Sequence, residues 1–306
     1  MERLTFINSA VQQGMLIDLP ASEVEHNGRA NILRKGLGII AFNILEDYLK
    51  KRTKEALNDL SHSGVSFENL TDKMQTASVI KAMNVAQNVL QREKRKNSQT
   101  WLADAHREAK IISSPLGGTN YEISSYAFLH EGSNIQADEV NNVLSAFAVD
   151  EGWNAITYTS KKLGYGVPSL KQEYENIASR RHAAAHESNF NYEYAHLSGL
   201  KNHIIALSAA FDVLLTKRLK IARDHVLDKM QNDKVHEKLA FQYLQYDNGL
   251  YKQKKSLSGR SQKNWSDLNQ ALAILRPKCS ANNEVLVVHS LDVHTQQVVL
   301  SDWFYS

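Results

Sequence analysis

The sequence predicts a mainly α fold with a small α+β region at its C-terminal end. The chain has only four prolines and fourteen glycines among 306 residues, and apolar residues recur at three- and four-residue spacing in several long segments. Two later runs are instead rich in β-branched and aromatic residues, which favours strands. We predict three parts: an N-terminal arm over residues 1–24, a helical domain over 25–225 and the α+β region over 226–306.

The composition excludes several classes of protein. Hydrophobic residues make up 42% of the chain, charged residues make up 23%, and the net charge is +3, as in ordinary globular proteins. The single cysteine, Cys279, allows neither an intramolecular disulfide nor a cysteine-based zinc site. No stretch approaches the roughly 18 consecutive apolar residues of a membrane span, and the N-terminal residues lack a secretion-signal pattern. We therefore expect a cytoplasmic protein with no membrane partner and no cofactor.

The first strongly predicted helix covers Asn31 to about Lys54. It carries two apolar rows on opposite sides, and Glu46 falls on the second row. The first row contains Leu33, Leu37, Ile40, Ile44 and Tyr48, and the second contains Ile39, Phe42 and Leu49. We expect this helix to be buried on two faces, either in the middle of a bundle or partly at a contact between subunits.

Shorter helices are predicted in the next part of the chain. One helix carries a single apolar face and runs into the basic segment Arg92–Lys96. That face consists of Val79, Met83, Ala86 and Leu90, and further helices are predicted over 101–112, around 140–147 and around 153–156. Between Ser113 and Ala137 turn-forming residues replace the periodicity, which predicts an irregular connection.

Two long helices are predicted in the middle of the chain. Ser169 and Gln172 have the spacing of a capping box, which predicts a helix from Leu170 to about Glu187. From Tyr194 to Arg218, six apolar positions follow helical spacing without interruption, which is typical of a helix with one buried face.

After residue 225 the pattern changes several times. The predicted order is a helix containing Leu239 and Tyr243, a basic connecting segment over Tyr251–Lys263, a short helix near Trp265–Leu275, and two pairing strands over 284–289 and 297–304.

Arg181 is the first candidate functional residue. It lies on the same predicted stripe as Leu170, Tyr174 and Ile177, so its guanidinium is expected to point into the interior. A buried arginine requires a partner of opposite charge, and Glu46 is the first candidate.

Two histidines follow on the same predicted helix. His182 and His186 lie one turn apart on a neighbouring face, whereas Arg181 and His186 are about 140° apart around the axis. One helix alone therefore does not bring Arg181 and His186 to one small substrate group, unless the helix ends early, the arginine spans the gap or a second subunit contributes.

These residues resemble the Arg-x(4–6)-His signature of the HEPN superfamily, and the order of the helices is similar. The first long helix also contains the Leu-Glu-aromatic feature of that family, as Leu45, Glu46 and Tyr48. The resemblance covers about residues 25–220 and is strongest to the RiboL-PSP-HEPN branch. It implies an antiparallel helical bundle of the HEPN type.

The resemblance also implies an activity and roles for the motif residues. The implied protein is a metal-independent endoribonuclease that works as a homodimer and leaves 2′,3′-cyclic phosphate and 5′-hydroxyl ends. His186 would act as acid and base, and Arg181 would stabilise the charged phosphorane. His182 would orient the phosphate, and Glu46 would hold Arg181 in place. Such enzymes resemble toxins and phage-defence effectors, so an antitoxin or another regulatory partner is implied as well.

Two basic segments are candidates for contacts with RNA. Arg92–Lys96 and the segment after Tyr251 combine positive charge with few acids, which suits phosphate contacts and base stacking; a solvated surface is the alternative for each. The candidate RNA-binding residues are Tyr251, Lys252, Lys254, Lys255 and Arg260.

Each motif residue also has a purely structural interpretation. Arg181 and Glu46 can form a buried ion pair without a catalytic role, and His182 can be a solvated surface residue. His186 suits the C-terminal end of a helix, where the helix dipole stabilises a cationic imidazole. His289 and His294, near the turn between the last two strands, are expected to be surface residues.

Two other functions stay open at this point. One is a non-catalytic HEPN-like dimer that binds RNA, nucleotide or protein. The other is a metal-dependent helical enzyme that uses His182, His186 and His196, although the glutamate of a zincin motif is absent.

Overall fold

The computed structural model describes residues 2–96, 99–129, 135–292 and 295–305. These residues are mostly helical, with a small sheet near the C-terminal end, so the predicted fold class is confirmed at that level. The chain forms two compact units. Unit 1 consists of Met1–Asp47, Ile156–Val213 and Lys238–Ser306, and unit 2 consists of Tyr48–Ala155 and Leu214–Glu237. The division at residues 24 and 225 stays a prediction. The two compact units show which residues lie together, and they do not show which parts of the chain fold independently.

The helices predicted before residue 225 are present, and several are longer than expected. The helices are α1 (Glu2–Val11), α2 (Val24–Ser61), α3 (Asp72–Thr76), α4 (Ala82–Arg95), α5 (Trp101–Ser113), α6 (Ala137–Ala146), α7 (Gly152–Lys162), α8 (Leu170–His186), α9 (Tyr194–Asp224) and α10 (Leu268–Ala281). A π-helical turn, Ala77–Lys81, connects α3 to α4. The irregular connection is confirmed where it is described, with short 3-10 turns at Ser114–Gly117 and Ser125–Ala127.

Helix α2 is buried along only one of its two apolar rows. Phe42 and Leu49 of the second row are fully buried, and Glu46 lies among them. In the first row, Leu33 is 44% exposed and Ile40 is 51% exposed. The expectation of two buried faces is therefore wrong for the single chain, because these residues of the first row face solvent.

Helix α8 begins where its sequence signal predicts. The Ser169 hydroxyl accepts a hydrogen bond from the Gln172 backbone N–H at 3.2 Å, which satisfies one of the free donors at the helix start. Tyr174 of α8 is fully buried and its ring contacts Phe42 of α2, with centroids 5.8 Å apart. The interior of unit 1 therefore lies between these two helices.

The C-terminal sheet has five strands where the sequence predicted two. They are β1 (Ala240–Asp247), β2 (Leu250–Lys254), β3 (Lys263–Trp265), β4 (Glu284–Leu291) and β5 (Val298–Phe304), in the order β3-β2-β1-β4-β5. The predicted pairing of the last two strands is confirmed, and β1 pairs with β4 in parallel through the crossover helix α10.

Two predictions for this region are wrong, and a third is confirmed with shifted bounds. The helix predicted around Leu239 and Tyr243 is β1, because a spacing of four residues suits a strand of period two as well as a helix. The predicted connecting segment Tyr251–Lys263 contains β2 and the start of β3. The helix predicted near Trp265–Leu275 is present as α10, which begins at Leu268 and extends to Ala281, with the Asp267 carboxylate as its N-cap.

The sheet packs on both faces within unit 1. On one face, α10 covers a core that includes Leu244, Leu275 and Leu286. On the other face, the Tyr243 hydroxyl donates to the Lys162 carbonyl at 2.8 Å. The Trp303 indole also donates, to the Asp212 carboxylate at 2.7 Å. These contacts hold the sheet against α7 and α9 in one compact unit.

Candidate active site

The C-terminal end of α8 carries the predicted motif. Tyr174 and Ile177 of the stripe are buried, and Arg181 follows them as a half-buried side chain. The Nε atom of Arg181 is inaccessible to solvent and has no hydrogen-bond partner among the described residues. Part of the guanidinium is therefore inside unit 1, as the helical spacing predicted.

Glu46, the predicted partner of Arg181, is also buried. Only 5% of its surface is exposed, and Phe42 and Leu49 of the same apolar row are fully buried. The sequence pattern predicted the facing direction of both side chains correctly. The pairing of Glu46 with Arg181 stays a prediction.

The two histidines of the motif contact each other at the surface. His182 and His186 are exposed, and their ring centroids lie 4.7 Å apart with an interplanar angle of 50°. Helix α8 includes His186 and ends there. Arg181 and His186 are therefore separated by the predicted angle of about 140° around the helix axis. The single chain presents a pair of imidazoles to solvent and leaves Arg181 on a different face.

The described residues place no metal site at these histidines. No group of three or more His, Cys, Asp or Glu side chains in the described part of the chain is placed to hold a metal ion. His196 instead lies 3.4 Å from the carboxylate of Glu193. The metal-dependent alternative therefore has no ligand set in the described residues.

A buried arginine that sequence reasoning missed fixes the chain just after the motif. Arg34 of α2 is fully buried, and its Nε donates to the Tyr192 carbonyl. Its other nitrogens donate to the Leu16 carbonyl at 2.7 Å, the Asp18 carboxylate at 2.9 Å and the Asn191 side-chain oxygen at 3.4 Å. Arg34 thus has the hydrogen-bond partners that were expected of Arg181.

Neighbouring residues of α2 extend this contact along the same loop. Asn31 donates to the Phe190 carbonyl at 3.1 Å and accepts from the Tyr192 backbone N–H at 2.8 Å. The Lys35 ammonium donates to the carbonyls of Glu187 and Ser188, each at 3.0 Å. We call Asn31, Arg34, Lys35 and Gly38 the α2 clamp.

Gly38 completes the α2 clamp through its lack of a side chain. A Cβ atom at this position would lie 2.5 Å from the Tyr192 ring, so only glycine allows this close approach. The clamp residues follow the i, i+3, i+4, i+7 spacing, which places polar groups and a glycine on one helix face. This spacing was the sequence signal that could have indicated the clamp.

A second polar cluster lies on α8 and α9. The His203 Nδ1 is 3.2 Å from the Glu173 carboxylate, and its ring lies 5.4 Å from that of Tyr165. Burial lowers the pKa of His203 despite the opposing effect of Glu173. Burial also raises the pKa of Tyr165 to about 12, with Glu173 acting in the same direction. The cluster therefore favours neutral His203 and Tyr165 at physiological pH.

Most of the candidate RNA-binding residues have local partners in the sheet. Lys252 pairs with Asp247 at 2.5 Å, and Lys254 donates to the Gln245 side chain at 2.9 Å. Lys255, which is 58% exposed, pairs with Glu284 at 2.8 Å. The Tyr251 ring packs edge-on against Tyr246 and against the sheet core, whereas Arg260 is exposed.

The other basic segment and the late histidines also differ from the expectation. Lys94 lies 5.0 Å from the centre of the Trp101 ring, and Lys96 pairs with Glu93 at 3.1 Å. His289 is buried, with 5% of its surface exposed, and its Nε2 lies 2.8 Å from the Leu163 carbonyl. The surface assignment of His289 was therefore wrong, and His294 lies outside the described residues.

A comparison with protein-family models decides the family. The model described as RiboL-PSP-HEPN matches residues 15–217, a range that includes α2, α8 and the whole motif. The chain belongs to the RiboL-PSP-HEPN family. The resemblance inferred from the sequence is confirmed, and membership indicates a nuclease-like or RNA-related module.

The family match leaves the C-terminal sheet outside its range. Residues 218–306 of this HEPN protein have no counterpart in the matched model, and no curated protein or solved structure matches the chain. Within the described residues of this HEPN protein, no helix is long and apolar enough to cross a membrane.

Proposed function

We propose that this HEPN protein is a metal-independent endoribonuclease that leaves 2′,3′-cyclic phosphate and 5′-hydroxyl ends. The observation that carries the proposal is the pair of exposed imidazoles of His182 and His186, 4.7 Å apart, at the end of the helix that also holds Arg181. A histidine can accept the proton of a ribose 2′-hydroxyl or donate one to the leaving 5′-oxygen. We assign this acid and base role to His186.

Arg181 and His182 have complementary roles in this proposal. The Arg181 guanidinium supplies fixed positive charge for the phosphorane that forms during attack. Its Nε is buried and has no hydrogen-bond partner among the described residues, so part of its hydrogen-bonding capacity is not used there. His182 contacts the His186 ring and orients the phosphate, and the buried Glu46 holds Arg181 in place.

We propose that the active form is a homodimer. One chain keeps Arg181 and the imidazoles on different faces of α8, so a second copy is needed to bring the two kinds of group to one phosphate. The apolar row of α2 supports this arrangement, because Leu33 and Ile40 are exposed in the single chain and a second copy can cover them. The α2 clamp lies on the same helix and holds the loop that follows His186.

We propose Arg260 as the phosphate contact outside the motif, because its side chain is exposed. Lys252, Lys254 and Lys255 each have a local partner, which reduces their availability to RNA. The biological role that we propose is that of a cytoplasmic toxin or phage-defence effector, restrained by an antitoxin or another regulatory partner. This role rests on the family resemblance.

Cleavage of total RNA in EDTA tests the enzyme assignment. The wild-type protein is expected to cut RNA, and Arg181→Ala and His186→Ala are expected to lose cleavage by about 100-fold or more while keeping the wild-type circular dichroism spectrum. His106→Ala replaces an exposed histidine of α5 and serves as the matched control with unchanged cleavage. Cleavage that needs added metal, or that persists in both motif variants, would contradict the proposal.

A non-catalytic HEPN-like binding module is the second candidate. It is favoured by the separation of Arg181 from the imidazoles in the single chain. Under this alternative, neither wild type nor variants cut RNA, while Arg181→Ala weakens binding of RNA in a filter-retention assay.

A further inference from the structure

Unit 2 contains a large apolar cavity that lies apart in the sequence from the motif. Its volume is about 920 Å³, which is at the upper end of the range for small-molecule sites. Helices α4 and α5 form two of its walls. Apolar lining side chains include Phe67, Val79, Met83, Ala86, Leu90 and Ile112.

The π-helical turn at the start of α4 contributes to this wall. Val79 belongs to the turn Ala77–Lys81 and lies one helical turn before Met83. Such π-helical turns occur frequently at functional sites, because the extra residue re-aims the side chains of the helix. Here the turn helps place the apolar face of α4 toward the cavity.

Glu108 is the buried polar group of the cavity. Only 8% of its surface is exposed, and its Oε2 accepts a hydrogen bond from the Ser124 hydroxyl at 2.7 Å. No lysine, arginine or histidine of the described residues forms an ion pair with it. A cation at hydrogen-bond distance strongly stabilises the charged form of a buried carboxylate.

The charge of the whole lining has one sign. The ionisable side chains of the cavity wall are the two carboxylates Glu68 and Glu108, and the described lining contains no basic side chain. The remaining polar groups are Gln87 and Ser113. Glu68 is exposed to solvent, so a ligand that complements the buried part of this wall has a large apolar body and a single positive charge.

We infer that this cavity binds a small apolar molecule with one ammonium group, and that the ammonium pairs with Glu108. The apolar body would lie along α4 and α5, where burial of its surface supplies most of the affinity. The carboxylate of Glu108, held by Ser124, would select the cation over neutral and anionic molecules of the same length. The inference does not depend on RNA cleavage.

Calorimetric titration of the full-length protein with three ten-carbon probes tests the inference. The probes are decylammonium, decanol and decanoate, each below its critical micelle concentration. Decylammonium is expected to bind with one site per chain and about tenfold more tightly than decanol, and decanoate is expected to bind most weakly. Equal binding of the three probes, or no binding of decylammonium, would overturn the inference. No binding of decylammonium is the result expected if the site instead binds a helix of a partner protein.

Three variants separate the charge effect from the cavity itself. Glu108→Gln keeps an acceptor for Ser124, so it is expected to weaken decylammonium about tenfold and leave decanol unchanged. Ala109→Trp places an indole in the cavity from an exposed lining position and is expected to abolish binding of all three probes. Glu122→Gln, at an exposed position outside the lining, is the control. Unchanged decylammonium affinity in Glu108→Gln, in a variant that melts like wild type, would refute the assigned ion pair.

Discussion

At the scale of single residues, the two histidines of the motif are expected to differ in importance. His186 lies at the last position of α8, beside the clamped loop, whereas His182 is one turn earlier and contacts it through the ring. The proton-transfer role assigned to His186 cannot be replaced by alanine, whereas orientation of the phosphate by His182 is shared with Arg181.

The first prediction concerns these two positions. His186→Ala is expected to reduce the single-turnover cleavage rate by about 100-fold or more, and His182→Ala is expected to reduce it less. Measurement of both rates on one defined RNA, with EDTA present, checks the order. An equal loss in the two variants would argue against the separate roles.

The second prediction concerns pH and the buried His289. Burial lowers its pKa below the ordinary value of 6.5. The unfolded chain therefore takes up a proton at a pH where the folded chain does not, so stability is fully present above about pH 6.5 and is lost as the pH falls toward the lowered pKa of the folded state. Urea unfolding at pH 7.5 and 5.5 is expected to show this loss, with His203 contributing in the same direction.

A substitution isolates the contribution of His289. His289→Gln retains an amide that can donate to the Leu163 carbonyl, and it removes the titrating group. The variant is expected to lose less stability than wild type between pH 7.5 and 5.5. An identical loss would mean that His289 titrates in the folded state as it does in the unfolded chain.

At the scale of elements, the α2 clamp connects the first long helix to the loop after the motif. Arg34 alone donates hydrogen bonds to four partners. Because Gly38 has no side chain, the Tyr192 ring can pack directly against the helix. The start of α9 and the end of α8 are therefore positioned by α2, although these segments are about 150 residues apart in the sequence.

The third prediction uses two glycines of α2 as a matched pair. Gly38→Ala is expected to destabilise the protein by about 1–3 kcal/mol, because the new methyl group overlaps the Tyr192 ring, and to reduce RNA cleavage by moving the loop after His186. Gly28→Ala is expected to stabilise it by up to about 1 kcal/mol, since nothing lies within 4 Å of that position and alanine favours the helix. Thermal melting and cleavage of both variants are the measurements, and similar effects of the two substitutions would contradict the clamp.

The sequence was informative about elements whose signals are local. The 3-4 spacing predicted α2 and α9, and Ser169 with Gln172 predicted the start of α8. The strand β1 was missed because Leu239 and Tyr243 satisfy both periods. The Arg34 contacts were missed because they join residues that are far apart in the sequence. The spacing of residues within one helix does not show which distant loop a side chain reaches.

At the scale of the whole molecule, the proposed active form contains two copies of the chain. Ile32, Leu33 and Ile40 are 70%, 44% and 51% exposed on α2, the helix that holds the loop after the motif histidines. The sequence predicted an apolar row here but gave no means to decide between burial inside the chain and contact with a second subunit. The structure leaves Leu33 and Ile40 of this row exposed, which favours the second possibility.

The fourth prediction concerns this row. Ile40→Asp is expected to convert a dimer to a monomer in light scattering coupled to gel filtration, because a charge would be buried without a partner at the interface, and to abolish cleavage. Leu227→Asp changes a residue that is 89% exposed in unit 2 and is expected to leave both properties unchanged. A dimer that persists in Ile40→Asp would show that another surface joins the copies.

The chemical identity of the new 3′ ends tests the central claim most directly. RNA cut by the wild-type protein in EDTA is expected to carry 2′,3′-cyclic phosphate, so its 3′ ends resist poly(A) extension until the phosphate is removed enzymatically. The paired histidines and Arg181 support this product, because attack by the 2′-hydroxyl requires acid–base groups and charge stabilisation but no metal. Free 3′-hydroxyl ends, or intact RNA, would contradict the account.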